Sequence, residues 1–327
     1  MITRIVNAKD GLDEAVSLIR SGELVVFPTE TVYGLGANAY DAAAVKKIFE
    51  AKGRPQDNPL IVHISCTDEV RDVAREVPEV FYALAERFMP GALTVVLPKS
   101  ARVPDIVTAG GDTVAVRMPD NAVARELISR SFPIAAPSAN RSKHVSPTSA
   151  KHVYDDLNGR VPLILDGGEC AVGIESTVLD LTSGSPVILR PGAVTAEMLA
   201  PYLGVTPGSG KVIGTAKSPG MKYEHYAPAA EAYAARSAAS AAEFYDKCKA
   251  EGKNPVLLFR DVYADTLGDR ARISLGGSVD DFMHGVYSAL RAAEKEYGVI
   301  IVEMLDGDGR AASVMNRVMK AVGGKTV

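Results

Sequence analysis

The sequence predicts an α/β protein of two domains: a larger one on a twisted mixed sheet and a smaller one of nucleotide-fold-like topology. Three observations lead there. From Thr3 to about Gly204, short β-rich runs alternate with helical patterns. Residues 205–228 then crowd Gly, Pro, Ser and Thr without apolar periodicity, the composition of a linker. From 229 to 327 an αβαβα rhythm resumes. The expected division is therefore 1–204, a linker over 205–228, and 229–327.

The elements justify this in order. ELVVFPTET, PLIVHISC, ALTVVLPKS, DTVAVRMPD, FPIAAPSAN, VPLILDGG, STVLDLT and PVILRPG read as strands. DAAAVKKIFEAKG, with Asp41 as N-cap, is helical, as are TDEVRDVAREV, NAVARELISRS, SAKHVYDDLNG and TAEMLAPYLG. The last strands follow one another through Gly, Ser and Pro turns with no helix between them. A wholly parallel sheet needs crossovers, so this one is mixed.

Composition narrows the function classes. With 327 residues and 47% hydrophobic side chains, each domain can bury a core. A net charge of −4 gives no general basic surface, so tight nucleic-acid binding by the whole chain is not expected, although a local basic cleft stays open. Cys66, Cys170 and Cys248 are too few and too scattered for a disulfide framework or a CxxC metal site, which predicts a reducing, cytoplasmic setting. The N-terminus has no apolar signal core, and no apolar run approaches the roughly 18 to 20 residues that span a bilayer. No membrane partner is expected.

Several stretches can carry chemistry. AKGRPQDNPL puts Lys52, Arg54 and Asn58 on one short loop, a point charge, a bidentate fork and a neutral donor suited to a polyphosphate. The alternative is an ordinary helix end, with Gly53 as the left-handed cap and basic residues complementing the dipole. PTETVYGLGANA contains Gly34-x-Gly36-x-x-Ala39, but a Pro-Thr-Glu-Thr-Val-Tyr stretch separates it from the strand, against a dinucleotide fingerprint. Its Thr29, Glu30, Thr31 and Tyr33 either present polar groups to a cleft or form a surface turn. Gly208-Ser209-Gly210-Lys211 is likewise no P-loop, since Val212 stands where a magnesium-holding hydroxyl belongs.

APSANRSKHVSPTS gathers hydroxyls at a strand end and a helix start, which suits either an anion site or simple capping. Arg117 and Arg190 sit in apolar strands, so each is expected to meet a carboxylate or phosphate; Glu30, Asp166 and Glu175 are the protein's own candidates. Thr113 lies four residues before Arg117 and faces the same side. His63 is a lone strand histidine, without the partners a zinc site needs. No Ser-His-Asp order or HExxH helix is present.

Taken in order, PTETVYGLG, KGRPxxNPL, LIVHI, PGALTVVL, TVAVRMP, APSAN with SPTS, ESTV and ILRPG resemble the YrdC/Sua5 family across residues 23–192. The second half is similar to the Sua5 branch, whose linker leads into a Rossmann-like C-terminal domain; SPGMKYEHYAP resembles the end of that linker. The resemblance implies a twisted YrdC-like domain with a basic cavity that makes threonylcarbamoyl-AMP, pyrophosphate and water from L-threonine, bicarbonate and ATP with Mg2+. The product feeds threonylcarbamoyladenosine formation next to the anticodon of tRNAs reading ANN codons.

By the same resemblance, Lys52, Arg54, Asn58, Thr113, Ser138, Asn140, Ser146 and Arg190 hold ATP, and Tyr226 lets the linker close over it as a lid. Thr31, His63, Arg117, Ser176 and the backbone near Ala136 hold threonine. It implies no fixed protein ligands to a metal and no organic cofactor, and it leaves a tRNA or a threonylcarbamoyl transferase as partners. An RNA-binding protein that uses the basic cavity without catalysis is the rival reading.

Overall fold

The computed structural model describes residues 1–210, 217 and 227–327. The chain divides into two compact units: Met1–Ser142, Pro147–Ala171 and Glu175–Tyr223 form one, and Lys143–Ser146, Val172–Ile174 and Glu224–Val327 the other. The expected linker and Tyr226 lie largely or wholly outside the described residues.

The first unit is built on eleven strands: β1 (Arg4–Asn7), β2 (Val25–Phe27), β3 (Gly34–Asn38), β4 (Ile61–His63), β5 (Leu93–Pro98), β6 (Thr113–Arg117), β7 (Ile134–Ala136), β8 (Leu163–Asp166), β9 (Thr177–Asp180), β10 (Val187–Arg190) and β11 (Gly208–Ser209). They form one sheet in the order β1-β8-β2-β3-β7-β4-β6-β5-β9-β10-β11. It is mixed: β9 and β10 run antiparallel, as their short Gly-Ser turn requires, whereas β4 and β6 are parallel.

Period-two alternation splits every strand between two faces. Val26, Leu35, Val62, Val95, Val116, Ala135 and Leu179 point to one face, where helices Ala42–Lys52, Glu79–Phe88, Ala150–Leu157 and Ala196–Leu203 cover them. Their neighbours point the other way. There Val25, Phe27, Ile134, Ala136 and Leu163 pack on helices Leu12–Arg20 and Ala122–Arg130. Further along the same face lies a small cluster of strand residues alone, Ile61, Val96, Ala115 and Val178 with Leu189 against it.

Local signals behave as expected around helix Ala42–Lys52. Asp41 accepts the amides of Ala43 and Ala44, and Gly53 ends the helix at φ 61°. Elsewhere tertiary structure overrides them. GLGAN, to which the sequence assigned no element, is strand β3. TDEVRDVAREV gives only a 3-10 turn at Thr67–Glu69 and a short helix at Val70–Val73, because Ala74 leaves the helix to bridge Lys99. The first residues of the expected linker add β11, parallel to β10.

The second unit has four parallel strands, β12 (Glu231–Ala235), β13 (Pro255–Phe259), β14 (Arg272–Ser274) and β15 (Val299–Glu303), in the order β12-β15-β13-β14. Helices Ala238–Ala250 and Val279–Glu296 each start on a capping box, Ser237 with Ser240 and Ser278 with Asp281. At the strand ends, Glu303 accepts both the backbone N–H and the guanidinium Nε of Arg260 at 2.9 Å.

Candidate active site

Strand register assembles the site. His63 lies beside Arg117, Arg117 beside Thr94, Thr94 beside Val178 and Val178 beside Arg190. Cross-strand partners share a face, so one lateral row crosses the face not covered by the Ala42–Lys52 helix layer. Thr113, four residues before Arg117, is on the same side.

Phe27 explains the glycines of β3. A Cβ on Gly34 would come within 2.9 Å of its ring and one on Gly36 within 2.7 Å, so the ring lies across both. It meets His63 edge-on, with centroids 5.8 Å apart. These glycines therefore serve close side-chain approach rather than a nucleotide backbone. Burial and the adjacent Arg117 charge push the His63 imidazole down to about 3, so it is neutral at physiological pH.

Two donor-rich loops leave this row at one end. β4 begins after residues 53–60 and β7 ends before 137–142, and Ile61 pairs with Ala136. Lys52, 3% exposed, ties the loops: its ammonium donates to the Ser138 carbonyl at 2.6 Å and to the Asn140 carbonyl. Ser138 Oγ donates to Asn140 Oδ1 at 2.5 Å, and Asn140 Nδ2 donates to the Arg141 carbonyl at 2.8 Å. Arg54 Nη2 folds back on the carbonyls of Asn58 and Pro59 at 3.2 and 3.1 Å. The buried Asn58 leaves its side-chain oxygen without a hydrogen-bond partner among the described residues.

At the other end of the row, Arg190 Nη2 and Nε donate to the hydroxyl and carbonyl of Ser176, both at 3.0 Å. Thr94 Oγ1 lies 2.7 Å from the same Ser176 hydroxyl. Arg117 finds the carboxylate its strand position demands in Glu30, at 2.7 Å, and donates from Nε to the Gly91 carbonyl at 3.2 Å. Thr29 Oγ1 gives its single proton to Val32 O at 2.7 Å, so Thr31, 2.9 Å away, is the donor between the two hydroxyls. Ser146 is buried, on the short segment that groups with the second unit. Tyr226 lies outside the described residues. Thr94 went unremarked in the sequence; a threonine within the apolar run ALTVVL was the available signal.

Among the described residues, no three or more His, Cys, Asp or Glu side chains converge on a potential metal position. Asn140 Oδ1 is 3.4 Å from the Lys52 ammonium, which does not suit direct ligation of a second cation there.

Fold and site define a two-unit α/β protein whose first unit sets His63, Arg117, Thr94 and Arg190 along one sheet face, with Lys52, Arg54 and Asn58 at the adjoining helix end and loop. Residues 17–192 match the Sua5/YciO/YrdC family, described as telomere recombination, and 194–323 match the threonylcarbamoyl-AMP synthase C-terminal domain. The chain belongs to this family, in the Sua5 branch that carries both domains. It is 46% identical to the threonylcarbamoyl-AMP synthase of Pyrococcus abyssi over 98% of each chain. It is 44% identical to that of Bacillus subtilis, over 96% of this chain and 93% of the relative. The crystal structure of P. abyssi Sua5 complexed with L-threonine matches with a TM-score of 0.92 at 45% identity, covering 100% of this chain and 98% of that one.

Proposed function

We propose that this chain is a threonylcarbamoyl-AMP synthase, an ATP-using nucleotidyltransferase that joins L-threonine, bicarbonate-derived carbon and AMP with release of pyrophosphate. The observation that carries the residue assignment is the pairing of Ile61 with Ala136, which sets the Lys52-tied loops about two residues, or about 7 Å, from the His63–Arg117 row. Nucleotide and amino acid then lie side by side.

In this reading Arg54, Asn58, Thr113, Ser138, Asn140, Ser146 and Arg190 receive ATP, with Lys52 both holding the loops and adding charge. Arg117 takes the threonine carboxylate, and Thr31, His63, Ser176 and the Ala136 backbone surround the rest. Neutral His63 adds no competing charge beside Arg117. The threonine amine attacks the carbon, and a carbamate oxygen displaces pyrophosphate from the α-phosphate. Carbamates are short-lived in water, so fixed geometry and charge stabilisation supply most of the rate. Mg2+ arrives as the counter-ion of the ATP phosphates rather than as a resident ion. The product passes to a tRNA-modifying threonylcarbamoyl transferase. ATP use and free Cys66, Cys170 and Cys248 support a cytoplasmic setting.

Purified protein is expected to release pyrophosphate only with ATP, threonine and bicarbonate together. Release without threonine overturns the assignment.

A further inference from the structure

The Arg117–Glu30 contact is an ion pair that satisfies neither partner. The two side chains are 5% and 10% exposed, and Nη2 and Oε1 are 2.7 Å apart. Yet the N–H does not point along that line: Arg117 Nη2 and both Glu30 oxygens have no hydrogen-bond partner among the described residues. Buried ion pairs persist when further hydrogen bonds use their remaining donors and lone pairs. Here those bonds are missing on both sides, at the Arg117 position of the row that the proposed function gives to the amino acid.

An α-amino acid zwitterion supplies both. Its carboxylate complements the unpartnered guanidinium Nη2 and its three ammonium N–H groups complement the two unpartnered carboxylate oxygens. A neutral charge pair receives a neutral zwitterion, so binding buries no net charge. We propose that Glu30 receives the substrate's α-ammonium group and then takes its proton, so that Glu30 and Arg117 read the amino acid together. This rests on the synthase reading above and adds to it the group that frees the amine.

The proton balance closes. The ammonium loses one proton to the Glu30 carboxylate and becomes an amine. Protonated Glu30 returns that proton to the hydroxyl of bicarbonate, which leaves as water and yields carbon dioxide. The amine lone pair then forms the C–N bond, and the second ammonium proton goes to solvent as the carbamate appears. Two other titratable groups face the pair. His63 is held down to about 3 by burial, and the Cys170 thiol, facing Glu30, is pushed up to about 12 by burial and that carboxylate.

The test compares L-threonine with 2,3-dihydroxybutanoate, in which a hydroxyl replaces the ammonium, by calorimetric binding to wild type and Glu30→Gln. Wild type is expected to prefer threonine by about tenfold or more, the scale of one charge-assisted hydrogen bond, and Glu30→Gln to lose that preference while still binding the analogue. A wild type without the preference overturns the proposal whether or not the variant folds. So does a variant that keeps the preference, or one that loses both ligands equally. Failure of the synthase reading is separate: it shows as absent threonine-dependent pyrophosphate release by wild type.

Discussion

Lys52 Nζ donates to the Ser138 carbonyl at 2.6 Å and to the Asn140 carbonyl, so one ammonium closes the loop of the SAN motif onto the end of helix Ala42–Lys52. A residue expected as a phosphate ligand is thus also the tie between two loops. Ser142 N–H donates to the Lys52 carbonyl at 3.0 Å, so the tie has a backbone strand as well.

Lys52→Ala is therefore expected to lower stability as well as activity. It strips buried carbonyls of their donor, which costs about 1–3 kcal/mol. Chemical denaturation is expected to show that loss, and pyrophosphate release to fall about a hundredfold or more. Lys52→Arg is expected to rescue little, because the planar guanidinium cannot reproduce a compact donor aimed at two carbonyls. Full activity in Lys52→Ala reduces the loop to a structural turn.

His63 makes stability depend on pH. Its folded value, about 3, lies below the unfolded 6.5. The unfolded chain therefore binds a proton below pH 6.5 that the folded chain refuses, and stability falls as pH drops from 6.5 toward 3. At about 1.4 kcal/mol per pH unit, the loss at pH 5 is about 2 kcal/mol. Urea unfolding of wild type and His63→Asn at pH 7 and pH 5 checks this: the variant is expected to show a smaller acid loss. Equal losses in both remove His63 from the acid response.

What was legible in the sequence was what local physics decides. Asp41 as a cap and Gly53 in the left-handed region follow from hydrogen bonding and chirality within one turn. Arg117 in an apolar strand had to find an anion, and Glu30 was among three candidates; only folding chooses between them. Strand β3 was not legible, because Gly-Leu-Gly-Ala-Asn has little intrinsic preference for a strand. It forms by pairing with β2 and β7, where Phe27 and Ile134 occupy the space that side chains at 34 and 36 would need. Ser176 and Arg190 were named through the resemblance, but their contact and the part of Thr94 were hidden, since the chain brings Thr94 and Arg190 to Ser176 from two different strands.

The three cysteines are expected to separate by accessibility. Cys66 is exposed, whereas Cys170 and Cys248 are buried, and burial raises both buried thiols above the ordinary value. Thiolate is the reactive form. Iodoacetamide on the native protein, read by peptide mass spectrometry, is expected to label Cys66 alone, with the other two labelled only after unfolding. Native labelling of Cys170 at a rate matching Cys66 contradicts the packing of Cys170 beside Glu30.

Gly36→Ala tests whether the shape of β3 reaches the site. The added methyl would lie 2.6 Å from Ile134 Cγ2 and 2.7 Å from Phe27 Cε1, both side chains in a packed core. Overpacking of this kind costs about 1–3 kcal/mol. The Phe27 ring that must give way meets the His63 imidazole edge-on, so its displacement is expected to reach His63. Displacing His63 disturbs the strand position beside Arg117, the expected carboxylate ligand, while the Lys52-tied loops keep their own hydrogen bonds. The KM for threonine is therefore expected to rise several-fold while the KM for ATP changes little. Gly53→Ala serves as the control: its Cβ meets nothing within 4 Å, so it is expected to lower stability through its φ of 61° alone. Equal rises in both KM values for Gly36→Ala would mean that the strand transmits a general loosening rather than a displacement of Phe27.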